Sequence, residues 1–231
     1  MKTLSCLILS VCLLLACQKK EVPLTWNLRF TFDQSEEGWQ PGFADYPEAD
    51  RNIYELSAGH EALPNNLNAG SKALRISGTN RSDDLFMFWK REVTGLVPNQ
   101  RYSLAFELDL ASQYPRNSFG VGGSPGAGVF LKVGASVIEP QPVLDEGGYW
   151  RMNIDKSNQA ASGEDLKTIG DIGIPGETFA YRIIQRSNAD ETFGVTTNAT
   201  GKLWLIVGTD SGFESTTTLY YDRIRVKLTP E

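Results

Sequence analysis

The sequence predicts an all-β protein, an antiparallel β-sandwich. Apolar and polar residues alternate with a period of two in run after run, from Leu28 almost to the C-terminus. The runs are separated by turn-forming clusters such as GTNRSDD, ASQYPRNS and GVGGSPGAG. No window offers an amphipathic helix of more than about three turns, and no repeat of fixed period is visible. Many short strands without helices, in one continuous body, indicate a sandwich.

The chain opens MKTLSCLILSVCLLLAC, with Lys2 followed by an apolar run from Leu4 to Leu15. That run is shorter than the roughly 20 residues that span a bilayer, and it suits the apolar region of a secretory signal. Ala16 before Cys17 resembles the lipobox of bacterial lipoproteins. The resemblance implies cleavage before Cys17 and fatty acylation (palmitate) of that cysteine, and hence a membrane partner. Residues 1–16 are then a signal peptide, 17–24 a lipidated tether and 25–231 a single domain. Gln18 is not the aspartate that retains such proteins in an inner membrane, so in a Gram-negative cell the resemblance implies the outer membrane. Lys19 and Lys20 fit either a contact with anionic headgroups or a solvated tether.

Strands are expected at Leu28–Phe32, Ala73–Gly78, Leu85–Val93, Tyr102–Leu110, Val129–Val133, Tyr149–Ile154, Tyr181–Gln185, Leu203–Val207 and Thr218–Leu228. YSLAFELDL shows the clearest alternation. Phe86, Met87, Phe88 and Trp89 are apolar on both faces, which a strand shows when a loop or a ligand covers its outer side. Alternation in the last strand puts Tyr220, Asp222, Ile224, Val226 and Leu228 on one face, where a carboxylate is costly unless paired, hydrogen-bonded or metal-bound. Asp33–Asn52 and Gln159–Thr178 are long connections, where function or unrecognised structure is expected.

The net charge of −6 becomes one unit more negative without Lys2, which argues against nucleic acid as a partner. All three cysteines lie at or before position 17, so the body has neither disulfides nor thiol chemistry. His60 is the only histidine, which excludes a zinc site of nitrogen and sulfur ligands and makes a Ser-His-Asp triad improbable. Gly120–Gly126 lacks the Lys-Ser/Thr of a phosphate loop, and Asp155–Asp165 lacks the spacing of an EF-hand. Asp83, Asp84, Asp145, Glu146, Asp210 and Glu214 are candidate carboxylates for a hydrolase, though solvated loop charge is the preferred reading.

Trp39, Phe43 and Tyr46 fall in a loop broken by Pro and Gly, and Tyr149-Trp150 follow two glycines. Such rings stack on sugars or fold back as core. FTFDQSEEGW, LRISG at Leu74–Gly78, Val93-Thr94-Gly95-Leu96 with Pro98 and Tyr102, and the closing strand with Tyr220, Asp222, Ile224 and Val226 resemble carbohydrate-binding modules of the galactose-binding-like type. That resemblance implies a jelly-roll, a polysaccharide or oligosaccharide partner met by Trp39, Tyr46, Tyr149 and Trp150, and a structural calcium ion shared by the first and last strands. Asp33 and Asp222 are its expected ligands, with Glu36 weaker; a hydrogen-bonded Asp222 is the alternative. SDDLFMFWKR and VGTDSGFESTTTLYYD resemble an uncharacterised group of secreted bacterial proteins, which implies no chemistry. The expected protein is a non-catalytic envelope lipoprotein that binds a glycan. The alternatives are an interaction domain of an envelope assembly and, third, a carboxylate-dependent hydrolase.

Overall fold

A computed structural model describes residues 24–231 apart from 65, 66, 68, 69, 82 and 83. The signal segment, Cys17, most of the tether and Asp83 lie outside the described residues. The chain forms an antiparallel jelly-roll sandwich of two main sheets with a small third sheet.

The first sheet contains β1 (Trp26–Phe30), β4 (Ser57–Ala62), β5 (Lys72–Thr79), β7 (Arg101–Ser112), β12 (Arg182–Ser187), β13 (Phe193–Thr196) and β15 (Thr216–Pro230). The second runs β11 (Leu166–Asp171), β8 (Val129–Ser136), β14 (Leu203–Ser211), β6 (Leu85–Val93), β2 (Gln40–Ala44). The third is β3 (Tyr46–Pro47), β10 (Tyr149–Met152), β9 (Pro142–Leu144). The predicted strands are all present. Both long connections contain structure the sequence concealed: β2, β3 and a 3₁₀ turn over Glu48–Tyr54 in the first, β11 in the second.

The main core lies between the large sheets. Tyr102, Leu104, Phe106, Leu108 and Leu110 of β7 are all fully buried there, as the alternation of YSLAFELDL requires. β6 works on both faces: Met87 and Trp89 enter the main core, while Phe86 and Phe88 join a second cluster with Ala44, Ile154, Leu166 and Ile206. Met152 packs onto that cluster from outside. The two-sided apolar character of β6 is therefore explained by a chain segment that covers the second sheet.

The face predicted for β15 is corrected. Tyr221 pairs with Leu110 and Arg223 with Asp109, so Asp222 is an extra residue at a bulge. Leu219 and Tyr221 are buried before it, and Ile224, Val226 and Leu228 after it. The bulge resets the alternation: Tyr220 lies on the other face, beside Ala111 and Tyr181.

The sandwich has two distinct ends. Trp26 pairs with Leu228, which pairs with Leu104, so the N-terminal approach lies where β6 ends and β7 begins. Leu85, Ser112, Val129 and Ser211 mark the opposite end.

Candidate functional site

On the outer face of the second sheet, the cover changes from apolar to charged toward the end distant from Trp26. Alternation within β8 and β14 brings Lys132 and Asp210 to that face, both fully buried. Lys132 pairs with Gly208, two residues from Asp210, so the side chains are diagonal cross-strand neighbours. Lys132 Nζ lies 3.3 Å from Asp210 Oδ2 and donates to the carbonyls of Lys156 at 2.7 Å and Ala161 at 2.8 Å. The segment after β10 is thereby fastened to the sheet. Lys156 Nζ returns to sit 2.8 Å from both Asp210 Oδ2 and Asp45 Oδ2.

Asp45 joins β2 to β3 in a left-handed conformation, φ 64°, which a short polar side chain tolerates. Its Oδ1 accepts from Arg151 Nη1 at 2.9 Å. The same guanidinium lies 3.7 Å from Asp84 and 3.7 Å from Asp145. Four carboxyl groups thus meet three cations, and oxygens of Asp45, Asp84 and Asp210 lie within 4.8 Å of one another. Ammonium groups already stand among those oxygens, so the donor set makes no case for a metal ion.

The low dielectric shapes the titration. Burial first, then the Asp45 charge and the hydrogen bond and charge of Asp210, push Asp84 up to about 8. Burial lowers Lys132. Burial also works against Lys156, but Asp210 and Asp45 outweigh it and hold that pKa raised.

An open groove of about 470 Å³ reaches the cluster, with Asp45, Asp84, Arg151, Lys156, Ser157 and Asn158 in its lining. Side chains alternate along β10, so Tyr149 and Arg151 share a face, and the guanidinium carbon lies 4.8 Å from the Tyr149 ring centroid. A half-buried ring, a half-exposed guanidinium and carboxyl groups therefore form one continuous surface.

Of the four expected sugar-binding rings, two belong to the core. Trp39 is 3% exposed and meets Phe30 edge-on at 5.4 Å; Tyr46 is 3% exposed and packs on Tyr54 at 5.6 Å. Neither presents a ring face to solvent, because β2 and the 3₁₀ turn fold their loop down over the core. Trp150 pairs with Tyr46, packs partly on the main core and donates its indole N–H to Glu48. Tyr149 is the ring left facing the groove side.

Asp222 is buried at its bulge, whereas Asp33 is exposed beyond β1. Neither belongs to the three converging carboxylates. Among the hydrolase candidates, Asp84 and Asp210 come together and Asp145 joins through Arg151. Gly120–Gly126 forms a connecting turn tied by Ser124 Oγ, which accepts from the N–H groups of Gly126 and Ala127. Asp155 accepts from the N–H groups of Ser157 and Glu164, which hold its pKa low and leave it a loop-ordering residue. Sequence reading missed Lys132, Lys156, Asp45 and Arg151. Only Lys132, a charge inside the apolar run VFLKVGA, left a local signal.

No protein-family model matches the chain, and no curated relative matches it. Solved structures do. A carbohydrate-binding module of the β-sandwich superfamily matches with TM-score 0.39 and 11% identity, covering 87% of this chain and 73% of the other. A xylan-binding domain from Paenibacillus barcinonensis gives 0.36 and 12%, covering 88% and 94%. A module in complex with β-1,4-galactotriose gives 0.34 and 12%, covering 81% and 86%. Similarities of this size concern the fold and carry nothing about the ligand of this chain.

Proposed function

We propose that this protein is an envelope lipoprotein, anchored through Cys17 in the outer membrane of a Gram-negative cell, whose domain binds a neutral glycan without cleaving it. The carrying observation is the Tyr149–Arg151 surface beside the carboxyl-lined groove. A ring face takes the apolar side of a sugar, while Asp84, Ser157 and Asn158 exchange hydrogen bonds with its hydroxyls. Neutrality follows from pairing: the cations lining the groove, Arg151 and Lys156, already lie within 2.9 Å and 2.8 Å of carboxylates. A uronate or sulfate would have to displace one of them.

Binding rather than cleavage is supported by access. Glycoside hydrolysis uses two reachable carboxyl groups. Within the cluster, the Asp45 and Asp210 side chains are 4% and 0% exposed and held by lysine, leaving Asp84 at 23%. Asp155 also lines the groove, but both its oxygens are engaged by the N–H groups of Glu164 and Ser157. The groove also lies at the end of the sandwich away from Trp26, so a domain tethered at its N-terminus presents it outward.

A glycan array followed by calorimetry on the best neutral oligosaccharide tests the reading. Tyr149→Ala weakens binding by about 1 to 3 kcal/mol, the range for losing a stacked ring at a hot spot, with little change in stability. Trp39→Ala serves as the contrast, costing about 3 to 5 kcal/mol of stability as a buried ring does. A blank array, or binding indifferent to Tyr149, defeats the proposal; sugar release from the bound oligosaccharide would favour the hydrolase instead.

A structural calcium ion held by Asp33 and Asp222 belongs to the same reading. β1 ends at Phe30, which pairs with Ile224, so Asp33 follows the end of β1 and Asp222 lies two residues before its partner. Oxygen ligands of this kind suit a hard cation. An ion present at about 100 times its dissociation constant stabilises by roughly 2.7 kcal/mol, so chelator lowers Tm and calcium restores it. Identical melting in both conditions, on metal-free protein, would show that hydrogen bonding alone satisfies Asp222.

A further inference from the structure

The charged cluster holds more acid than its geometry can ionise. Three carboxyl groups with oxygens inside 4.8 Å of one another are fastened to different elements: Asp45 after β2, Asp84 before β6, Asp210 within β14. Asp84 Oδ1 and Asp210 Oδ1 are buried, and among the described residues no N–H or O–H donor reaches either. A proton held between these two carboxyls supplies the missing donor, and it relieves the repulsion of neighbouring carboxylates.

The three acids differ in their freedom. Asp210 sits in a central strand under Lys132 and Lys156, and Asp45 is clamped by Lys156 and Arg151. Asp84 lies on connecting chain, lines the groove and is the one of the three with a partly exposed side chain.

We propose that the proton between Asp84 and Asp210 is a latch on the groove: with it, Asp84 lies against the cluster and the Tyr149–Ala161 segment stays fastened; without it, Asp84 turns into the groove and draws Arg151 from Asp45. This rests on the groove being the binding site, and it names how that site is regulated. Arg151 follows because its guanidinium is 3.7 Å from Asp84 and touches the Tyr149 ring, so the recognition surface changes shape with the proton. Among the described residues, the charged groups facing Asp84 are Asp45, Asp210, Lys132, Lys156 and Arg151, and all enter the balance. Since burial and the two neighbouring carboxylates push Asp84 to about 8, the latch is closed at neutral pH and opens as pH rises through that value. The stability sign agrees. The folded state binds this proton more tightly than the unfolded state, so Asp84's contribution falls from the ordinary carboxylate range up to about pH 8 and is level above it.

Hydrogen exchange on the unliganded full domain, corrected for intrinsic exchange rates, tests this at pH 7.0 and 9.5. Amides of residues 149–161 in the unsubstituted protein should lose protection by about tenfold or more at the higher pH, as a locally opened segment does. Asp84→Asn, which mimics the protonated acid, should keep the same protection at both values. Constant protection in the unsubstituted protein overturns the latch. An equal loss in Asp84→Asn overturns it too, and assigns the change to Lys132, whose pKa burial lowers. The two proposals separate cleanly: a blank glycan array with a working pH response refutes the ligand class, and Tyr149-dependent binding with no pH response refutes the latch.

Discussion

Lys132→Met lowers the stability of the domain by about 3 to 5 kcal/mol in urea denaturation at pH 7, the cost of breaking a buried charged contact from one side. The substitution keeps most of the side-chain volume, so the loss is electrostatic rather than a cavity. One ammonium leaves, and three acceptors lose it together: the carbonyls of Lys156 and Ala161, and the Asp210 carboxylate. Lys132 is 0% exposed, so water cannot replace it without opening the segment that covers the second sheet. Adding Asp210→Asn to Lys132→Met gives a loss smaller than the sum of the two single losses, because either change alone already breaks their contact; the pair couples and is not additive. A loss below about 1 kcal/mol in the single variant would mean that apolar contacts of Met152 and Ile154, rather than the ammonium, fasten the segment.

The same cluster shows why the architecture was readable and the site was not. Period-two alternation is a local signal, and it located β6 and β7 to within a residue or two. It even required a cover over Phe86 and Phe88, which Met152 and Ile154 provide. The site is assembled from Asp45, Asp84, Lys132, Arg151, Lys156 and Asp210, on five separate stretches of chain. No spacing rule joins residues that only the topology brings together. Asp84 and Asp210 were visible as acids, but of their partners only Lys132, a charge inside an apolar run, was marked by any pattern. Trp39 and Tyr46 misled for a related reason: proline and glycine around them signal a loop, yet β2 pairs with β6 through Pro41 and Gly42 and folds the rings inward. Gly42 permits this, since a Cβ there would meet the Phe88 ring at 2.2 Å.

Deleting Asp222 leaves a folded protein, whereas deleting Arg225, three residues later, does not. The bulge already places two residues where the partner strand has one, with Tyr221 opposite Leu110 and Arg223 opposite Asp109. Removing the extra residue makes β15 regular: Leu219 and Tyr221 still point inward, and Ile224, Val226 and Leu228 follow in phase. Removing Arg225 shifts everything beyond it by one place, and a one-residue slip turns each side chain to the other face. Val226 and Leu228, 1% and 0% exposed, would face solvent, and Lys227 would enter the core. Exposing those two side chains costs roughly 3 to 6 kcal/mol at about 1.5 to 3 kcal/mol each, before the buried lysine is counted. Closing the bulge to absorb the gap brings no escape, because it would turn Arg223 inward and Ile224 outward. Circular dichroism and urea melts of the two deletions decide the matter. Cooperative unfolding of the Asp222 deletion, with the Arg225 deletion unfolded or several kcal/mol weaker, is the expected result. Equal damage from both would show that Asp222 is held for a bond its carboxylate makes, and that the bulge exists to place it.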